Sequence, residues 1–168
     1  MLIVFSGLPG TGKTTLARVL AQEWGATYLR IDTIEQALKS SGTLAGEVGP
    51  SGYLVAYALA ETNLGLGRIV VADCVNPIAA TRDAWREVAL RAGSPLIDVE
   101  VICSDPSEHR RRVETRSTDI VGLKLPSWED VLARDCEAWD RPRLVIDTAT
   151  RSVADALAEV RSQIDAWA

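Results

Sequence analysis

A chain of 168 residues with a formal net charge of −5 has the length of one domain, and its 47% hydrophobic content suffices for a core without disulfides. The acidic balance argues against a protein that grips a nucleic-acid duplex, although basic residues cluster locally, with Arg110, Arg111, Arg112 and Arg116 close together. Cys74, Cys103 and Cys136 form no CxxC pair and only one His is present, so a zinc site of the usual spacing is excluded and the thiols read as reduced and mostly buried.

In chain order, strand-like and helix-like segments alternate. Residues 2–6 form a short apolar run, as expected of a strand buried on both faces. The run has no basic flank and stops at Gly7, and no stretch approaches the ~18 apolar residues of a membrane span. The chain therefore reads as soluble and cytoplasmic, as a monomer or homodimer. Residues 13–24 place Leu16, Val19 and Leu20 at helical spacing, and Gly25 ends the helix. Residues 27–31 read as a second strand with Asp32 at its C-terminal end. Residues 40–52 are Gly-rich and read as a mobile surface segment near a ligand.

A helix is expected over 53–64, a third buried strand over 68–73 ending in Asp73, a helix over 78–92 and a fourth strand over 98–103. Pro106 and Ser107 open a helix carrying His109, the arginines and Val113. His109 has no sequence partner and reads as a surface residue. A polar loop, 117–126, follows. Ser127 and Asp130 then make a capping-box pair ahead of an apolar stripe of Trp128, Val131, Leu132, Cys136 and Trp139. A fifth strand covers 143–147. Ser152 and Asp155 cap a last helix with Val153, Leu157, Val160, Ile164 and Trp167 on one face. Five strands alternating with helices imply an α/β fold with a parallel sheet covered on both sides, in one domain spanning 1–168.

The segment Gly7-Leu8-Pro9-Gly10-Thr11-Gly12-Lys13-Thr14 matches G-x-x-x-x-G-K-[ST], between a buried strand and a helix. The glycines let the backbone curl so that its N–H groups converge on phosphate oxygens, and the helix adds the positive end of its dipole. In this motif Lys13 reaches the β- and γ-phosphates and the Thr14 hydroxyl ligates Mg²⁺. Gly7, Pro9, Gly10, Thr11, Gly12, Lys13, Thr14 and Thr15 are the expected nucleotide-binding set, with ATP and Mg²⁺ as ligands.

Phosphate binding does not name a reaction. The Asn-Lys-x-Asp segment with which GTPases read guanine does not occur, and Asp73 is followed by Cys74 rather than by the Glu of motor-type ATPases. Asp73 reads as a metal-holding carboxylate or as a strand-end cap. Asp32 reads as the group that orients an acceptor at the carboxyl end of the sheet, as the N-cap of a helix starting near Thr33, or as both. Arg112 and Arg116, one helical turn apart beside the polar loop, read as a lid closing on phosphates or as a solvated basic face. Lys124 lies within that loop.

Taken together, the P-loop Gly-Leu-Pro-Gly-Thr-Gly-Lys-Thr-Thr, Arg30-Ile31-Asp32, the strand ending in Asp73, Ser104-Asp105-Pro106, Arg112-Val113-Glu114-x-Arg116 and residues 126–132 resemble the small P-loop kinases. That group includes gluconate kinase-like enzymes, adenylylsulfate kinases, the phosphotransferase that modifies chloramphenicol, polynucleotide 5′-kinases and zeta toxins. The resemblance implies a three-layer P-loop fold with sheet order 2-3-1-4-5 and a short lid at 117–126. It also implies a base-like carboxylate at Asp32, phosphate contacts from Arg112 and Arg116, and acceptor contacts from Asn76 and Arg82. It further implies adenine between the lid helix and the loop after Thr148, where Arg112 stacks on it. The activity expected is ATP-dependent phosphorylation of a small-molecule hydroxyl. The alternatives are a polynucleotide 5′-hydroxyl kinase and a nucleotide-binding switch with little turnover.

Overall fold

The computed structural model describes residues 1–42 and 47–166. Trp167 and part of the Gly-rich 40–52 stretch lie outside the described residues. The elements run β1 (Leu2–Ser6), α1 (Lys13–Trp24), β2 (Thr27–Arg30), α2 (Ile31–Ser40), α3 (Ser51–Gly65), β3 (Val70–Asp73), α4 (Ala79–Arg91), β4 (Leu96–Ile102), α5 (Pro106–Thr115), α6 (Trp128–Leu132), β5 (Leu144–Asp147) and α7 (Val153–Asp165).

The strands form one parallel sheet in the order β2-β3-β1-β4-β5. β1 is central: Leu2 lies opposite Val70 of β3 on one side and Leu96 of β4 on the other. All five β1 residues are buried, which is why the run reads as continuously apolar rather than alternating. Its side chains still alternate between faces. Ile3 and Phe5 join the layer built by Leu16 and Leu20 of α1 and Leu157 and Val160 of α7. Leu2 and Val4 join the opposite layer, with Ala56 and Ala60 of α3 and Trp85 and Val88 of α4. The expected fold and sheet order are thus those observed. No helix among the described residues is long and apolar enough to cross a membrane.

Most boundaries lie within two residues of expectation, and two of the differences change where a singled-out residue sits. α2 begins at Ile31, directly after β2, so Asp32 sits in the first turn of a helix and not at a strand end; the N-cap position belongs to Arg30. α6 stops at Leu132, so Cys136 and Trp139 lie beyond the helix. Tertiary bonds hold the chain there: the Glu137 N–H donates to the Pro77 carbonyl at 2.9 Å, and Arg82 donates to the carbonyls of Glu137 and Ala138 at 3.1 and 2.9 Å. The Ser127–Asp130 capping box is formed in both directions. Asp105 caps α5 through the N–H groups of Ser107 and Glu108.

Candidate active site

The site forms where the carboxyl ends of β1, β2 and β3 face the loop before α1. That loop has positive φ at Gly7 (148°), Gly10 (88°) and Gly12 (94°). Space as well as φ demands glycine. A Cβ on Gly7 would lie 2.2 Å from the Val101 carbonyl oxygen, and one on Gly10 would lie 2.6 Å from Val113 Cγ2.

Side chains anchor the loop's carbonyls. Thr11 Oγ1 donates to the Leu8 carbonyl at 2.9 Å, and Thr148 Oγ1 donates to that of Thr11 at 2.8 Å. His109 Nε2 lies 2.9 Å from the Pro9 carbonyl, which can only accept, so this nitrogen carries the proton. His109 is 7% exposed and packs edge-on against Trp128, which corrects its reading as a surface residue. The N–H groups of Gly12, Lys13 and Thr14 precede the internal ladder of α1 and have no helical carbonyl to bond. Loop curvature, free N–H groups and helix dipole together make an anion-binding nest.

Lys13 is 7% exposed, and its Nζ has only a long bond, 3.4 Å, to the Leu8 carbonyl. Burial lowers its pKa, while the charges of Asp73 and Asp32 pull the other way. Asp73 is 2% exposed and lies beneath the cleft; its Oδ2 accepts the Tyr28 hydroxyl at 2.8 Å and stands 3.8 Å from Arg30 Nε. The Asp32 carboxylate is open to the cleft, with Arg30 Nη2 at 3.8 Å.

The two arginines of α5 part company. Arg112 is fully engaged: Nε donates to Glu108 at 2.8 Å, Nη1 to Thr148 Oγ1 at 2.8 Å and Nη2 to the Thr148 carbonyl at 3.1 Å. It walls a small cavity of about 220 Å³ shared with Gly12, Thr15 and Thr148. Arg116, half-buried in the main cleft, has Nε and Nη2 without a partner. Burial lowers its pKa and Asp32 offsets this. An unpaired guanidinium next to the nest fits a polyanion.

Asn76 and Arg82 do not meet the cleft. Asn76 is 2% exposed, has φ of 54°, and its side-chain amide donates to Ser6 Oγ at 3.0 Å. Arg82, also 2% exposed, binds the backbone carbonyls of 137 and 138 and lies under the Trp139 ring at 4.7 Å. Both are bonded to the framework, and neither is among the residues that line the cleft.

The main cleft measures about 1290 Å³ and joins Lys13, Thr14, Thr15, Asp32 and Arg116 to the 117–126 loop. Sequence reasoning passed over several of its residues. Glu35, one turn beyond Asp32, lines it, and burial followed by the Asp32 charge raises its pKa. Asp119 of the loop bonds Arg18 at 2.5 Å and Arg30 at 2.8 Å. Arg18 lies one helical turn after Thr14, a spacing visible in sequence, but only the fold shows that Arg18 and Arg30 share a carboxylate.

The donor set also bears on metal binding. Among the described residues no group of three or more His, Cys, Asp or Glu is placed to hold a metal. Thr14, which lines the cleft, and Asp73, a buried carboxylate within electrostatic reach of Lys13, have the oxygen-donor chemistry that Mg²⁺ takes, an ion that keeps few protein ligands and completes its shell with water and phosphate oxygens.

Comparison with known proteins agrees with this geometry. A family model described as AAA domain matches residues 2–134. The uncharacterized protein Rv2004c of Mycobacterium tuberculosis is 36% identical over 109 residues, 58% of this chain; the match covers 22% of that relative, so the chain spans about a fifth of its length. Among solved structures, the APS kinase CysC of Mycobacterium tuberculosis, in complex with AMPPNP and APS, is similar at TM-score 0.73 and 18% identity, covering 98% of this chain and 96% of that one. Kti12 of Chaetomium thermophilum, in complex with ADP-AlF3, gives 0.70 and 23%, covering 96% and 98%. A gluconokinase from Sinorhizobium meliloti gives 0.64 and 20%, covering 99% and 92%. With a P-loop, a 2-3-1-4-5 sheet and a family match over most of its length, the chain belongs to the AAA domain family and has the fold of the small P-loop kinases.

Proposed function

We propose that the chain transfers the γ-phosphoryl group of ATP to a hydroxyl of a small molecule. The observation that carries the reading is the convergence, in one cleft, of the nest, the buried Lys13, the unpartnered Arg116 and the open carboxylate of Asp32. Relatives bound to AMPPNP with APS, and to ADP-AlF3, support it by analogy.

The P-loop N–H groups and Lys13 hold the β- and γ-phosphates, and Arg116 meets charge that develops on the transferring group. Thr14 and Asp73 are the residues assigned to Mg²⁺, which when bound supplies positive charge to the phosphate oxygens. The small cavity beside Arg112 and Thr148 takes the nucleotide base. Asp32 orients the acceptor hydroxyl and accepts its proton as the new bond forms. The 117–126 loop serves as the lid of this single domain. The chain's formal net charge of −5 favours a small acceptor over a polynucleotide, whose binding would be strongly salt-dependent.

Asp32→Asn is the test. It removes charge and basicity at constant size, so kcat with a phosphorylated acceptor should fall by ~10²-fold or more while ATP affinity holds. Full activity in this variant would remove Asp32 from the mechanism. A screen of γ-labelled ATP against hydroxyl compounds supplies the acceptor, and tight nucleotide binding without transfer to any of them would favour a switch module.

A further inference from the structure

Beyond the phosphate site the cleft runs between α2, α3 and the start of α4, and its two walls differ in chemistry. α2 contributes Asp32, Glu35 and Lys39. The facing wall is made of Tyr53, Leu54 and Tyr57 from α3, with Pro77, Ile78 and Ala84 from the α4 side.

Each hydroxyl on that wall already makes a hydrogen bond to protein. Tyr57 donates to the Thr81 carbonyl at 3.2 Å, and Thr81 donates to the Ile78 carbonyl at 2.9 Å. Tyr53 places its hydroxyl on the N–H of Asn76 at 2.9 Å, and Asn76 itself is 2% exposed. The phenol tip is thus buried in the framework, which pushes its pKa up, and the ring is the part left to line the cleft. Leu54 and Ile78 remain 60% and 37% exposed within the same concave surface. Among the described residues this wall brings no charged side chain and no hydroxyl that is not bonded to protein.

From this asymmetry we infer that the acceptor is a hydroxyl carried on an apolar, ring-bearing body that lies on Tyr53, Leu54, Tyr57 and Ile78. The inference rests on the kinase reading and names its substrate class. The hydroxyl faces Asp32, where polar partners exist, and the body faces carbon. A polyhydroxylated acceptor would set its other hydroxyls against a wall of mostly carbon, whose three hydroxyls are already bonded to protein, and sites discriminate strongly on unpaired polar groups. In the transfer, the acceptor oxygen bonds to the γ-phosphorus and the bond from phosphorus to the β–γ bridging oxygen breaks. ADP leaves with that electron pair, and the hydroxyl proton passes to the Asp32 carboxylate.

Two readouts on the full chain test this. Saturation-transfer NMR measures binding of phenylethanol, nitrobenzyl alcohol and cyclohexylmethanol against gluconate, without chemistry. γ-labelled ATP then measures transfer to the same compounds. The ring-bearing alcohols should bind and be phosphorylated with kcat/KM ~10²-fold or more above gluconate, the scale on which a site rejects unpaired polar groups. Leu54→Asp, a change at an exposed position, should raise KM for them about tenfold, the scale of losing one apolar contact region, and leave ATP affinity unchanged. Binding of the ring alcohols that depends on Leu54, with no transfer to any compound, would keep the apolar site and refute the kinase reading. Preference for gluconate, no binding of any ring alcohol, or a Leu54→Asp protein with unchanged binding would overturn the inference.

Discussion

His109 joins the P-loop to the lid side of the molecule. Its Nε2 donates to the buried Pro9, and its ring lies 5.2 Å from that of Trp128. His109→Phe keeps an aromatic ring against Trp128 but strands the Pro9 carbonyl, which should cost about 1–3 kcal/mol of stability. The loop also loses one of the bonds that set its curvature, so ATP affinity should fall roughly tenfold, about what one net hydrogen bond is worth. A thermal melt and a nucleotide titration read the two effects, and a wild-type affinity would show that the nest is shaped without His109. Lys13 gives the opposite pattern of stability. In the nucleotide-free chain it is a desolvated cation with one long hydrogen bond, so Lys13→Met should leave the melting temperature unchanged or raise it. Phosphoryl transfer should drop by orders of magnitude, since the charge acts on the transition state. A folded Lys13→Met protein with near-normal kcat would contradict the site assignment.

At the scale of elements, the 117–126 loop is tied down by a carboxylate shared between α1 and β2. Arg30, whose side chain is 11% exposed, and Arg18 hold the Asp119 pKa down to about 2. Such a depressed carboxylate lends stability above its unfolded value and loses it only as pH falls toward 2, so the tether is intact throughout the neutral range. Exposed ion pairs contribute little to global stability, and Asp119 is 56% exposed, so the effect of breaking this one should be local. Asp119→Asn should speed amide exchange in 117–126 in the free protein and hardly move the melting temperature. Addition of an ATP analogue should restore slow exchange if the loop closes on nucleotide. Equal exchange in variant and wild type would mean that other contacts fix the loop. Here the limits of sequence are clear. Ser127 and Asp130 announce α6 because a capping box is local, and the P-loop announces β1, its turn and α1 because each part constrains its neighbours. The end of α6 was not legible, because the competing bonds come from Arg82 and Pro77, some fifty residues away. The same holds for Asp32: the residue was legible, but its place in the first turn of α2 follows from a helix that starts without a side-chain cap at Arg30.

For the molecule as a whole, alternating apolar segments were enough to read a parallel sheet, because the central strands β1 and β3 are buried along their whole length between two helix layers. Polar residues that the sheet half-buries are harder to read, since their partners are set only by packing. Asp98 is such a case. It stands in β4 opposite Val4, and its Oδ1 has no hydrogen-bond partner. Burial pushes its pKa up to about 6, and the charges of Arg141, Arg86 and Arg82 oppose this without cancelling it. The sign follows from proton binding. The folded chain holds the Asp98 proton more tightly than the unfolded chain, so this group's contribution falls as pH rises from about 4 to about 6, and the penalty stays above that. Asn has no proton to lose there, so Asp98→Asn should stabilise the protein by about 1–3 kcal/mol at pH 8, the scale of a two-unit shift with allowance for partial solvation. The gain should shrink below pH 6 and vanish below about pH 3, where the wild-type carboxyl is protonated in both states. Denaturant unfolding of both proteins across that range measures the difference directly. A variant that is less stable than wild type at pH 8 would mean that the three arginines compensate the buried charge, and that the β4 carboxylate stabilises the sheet it lies in.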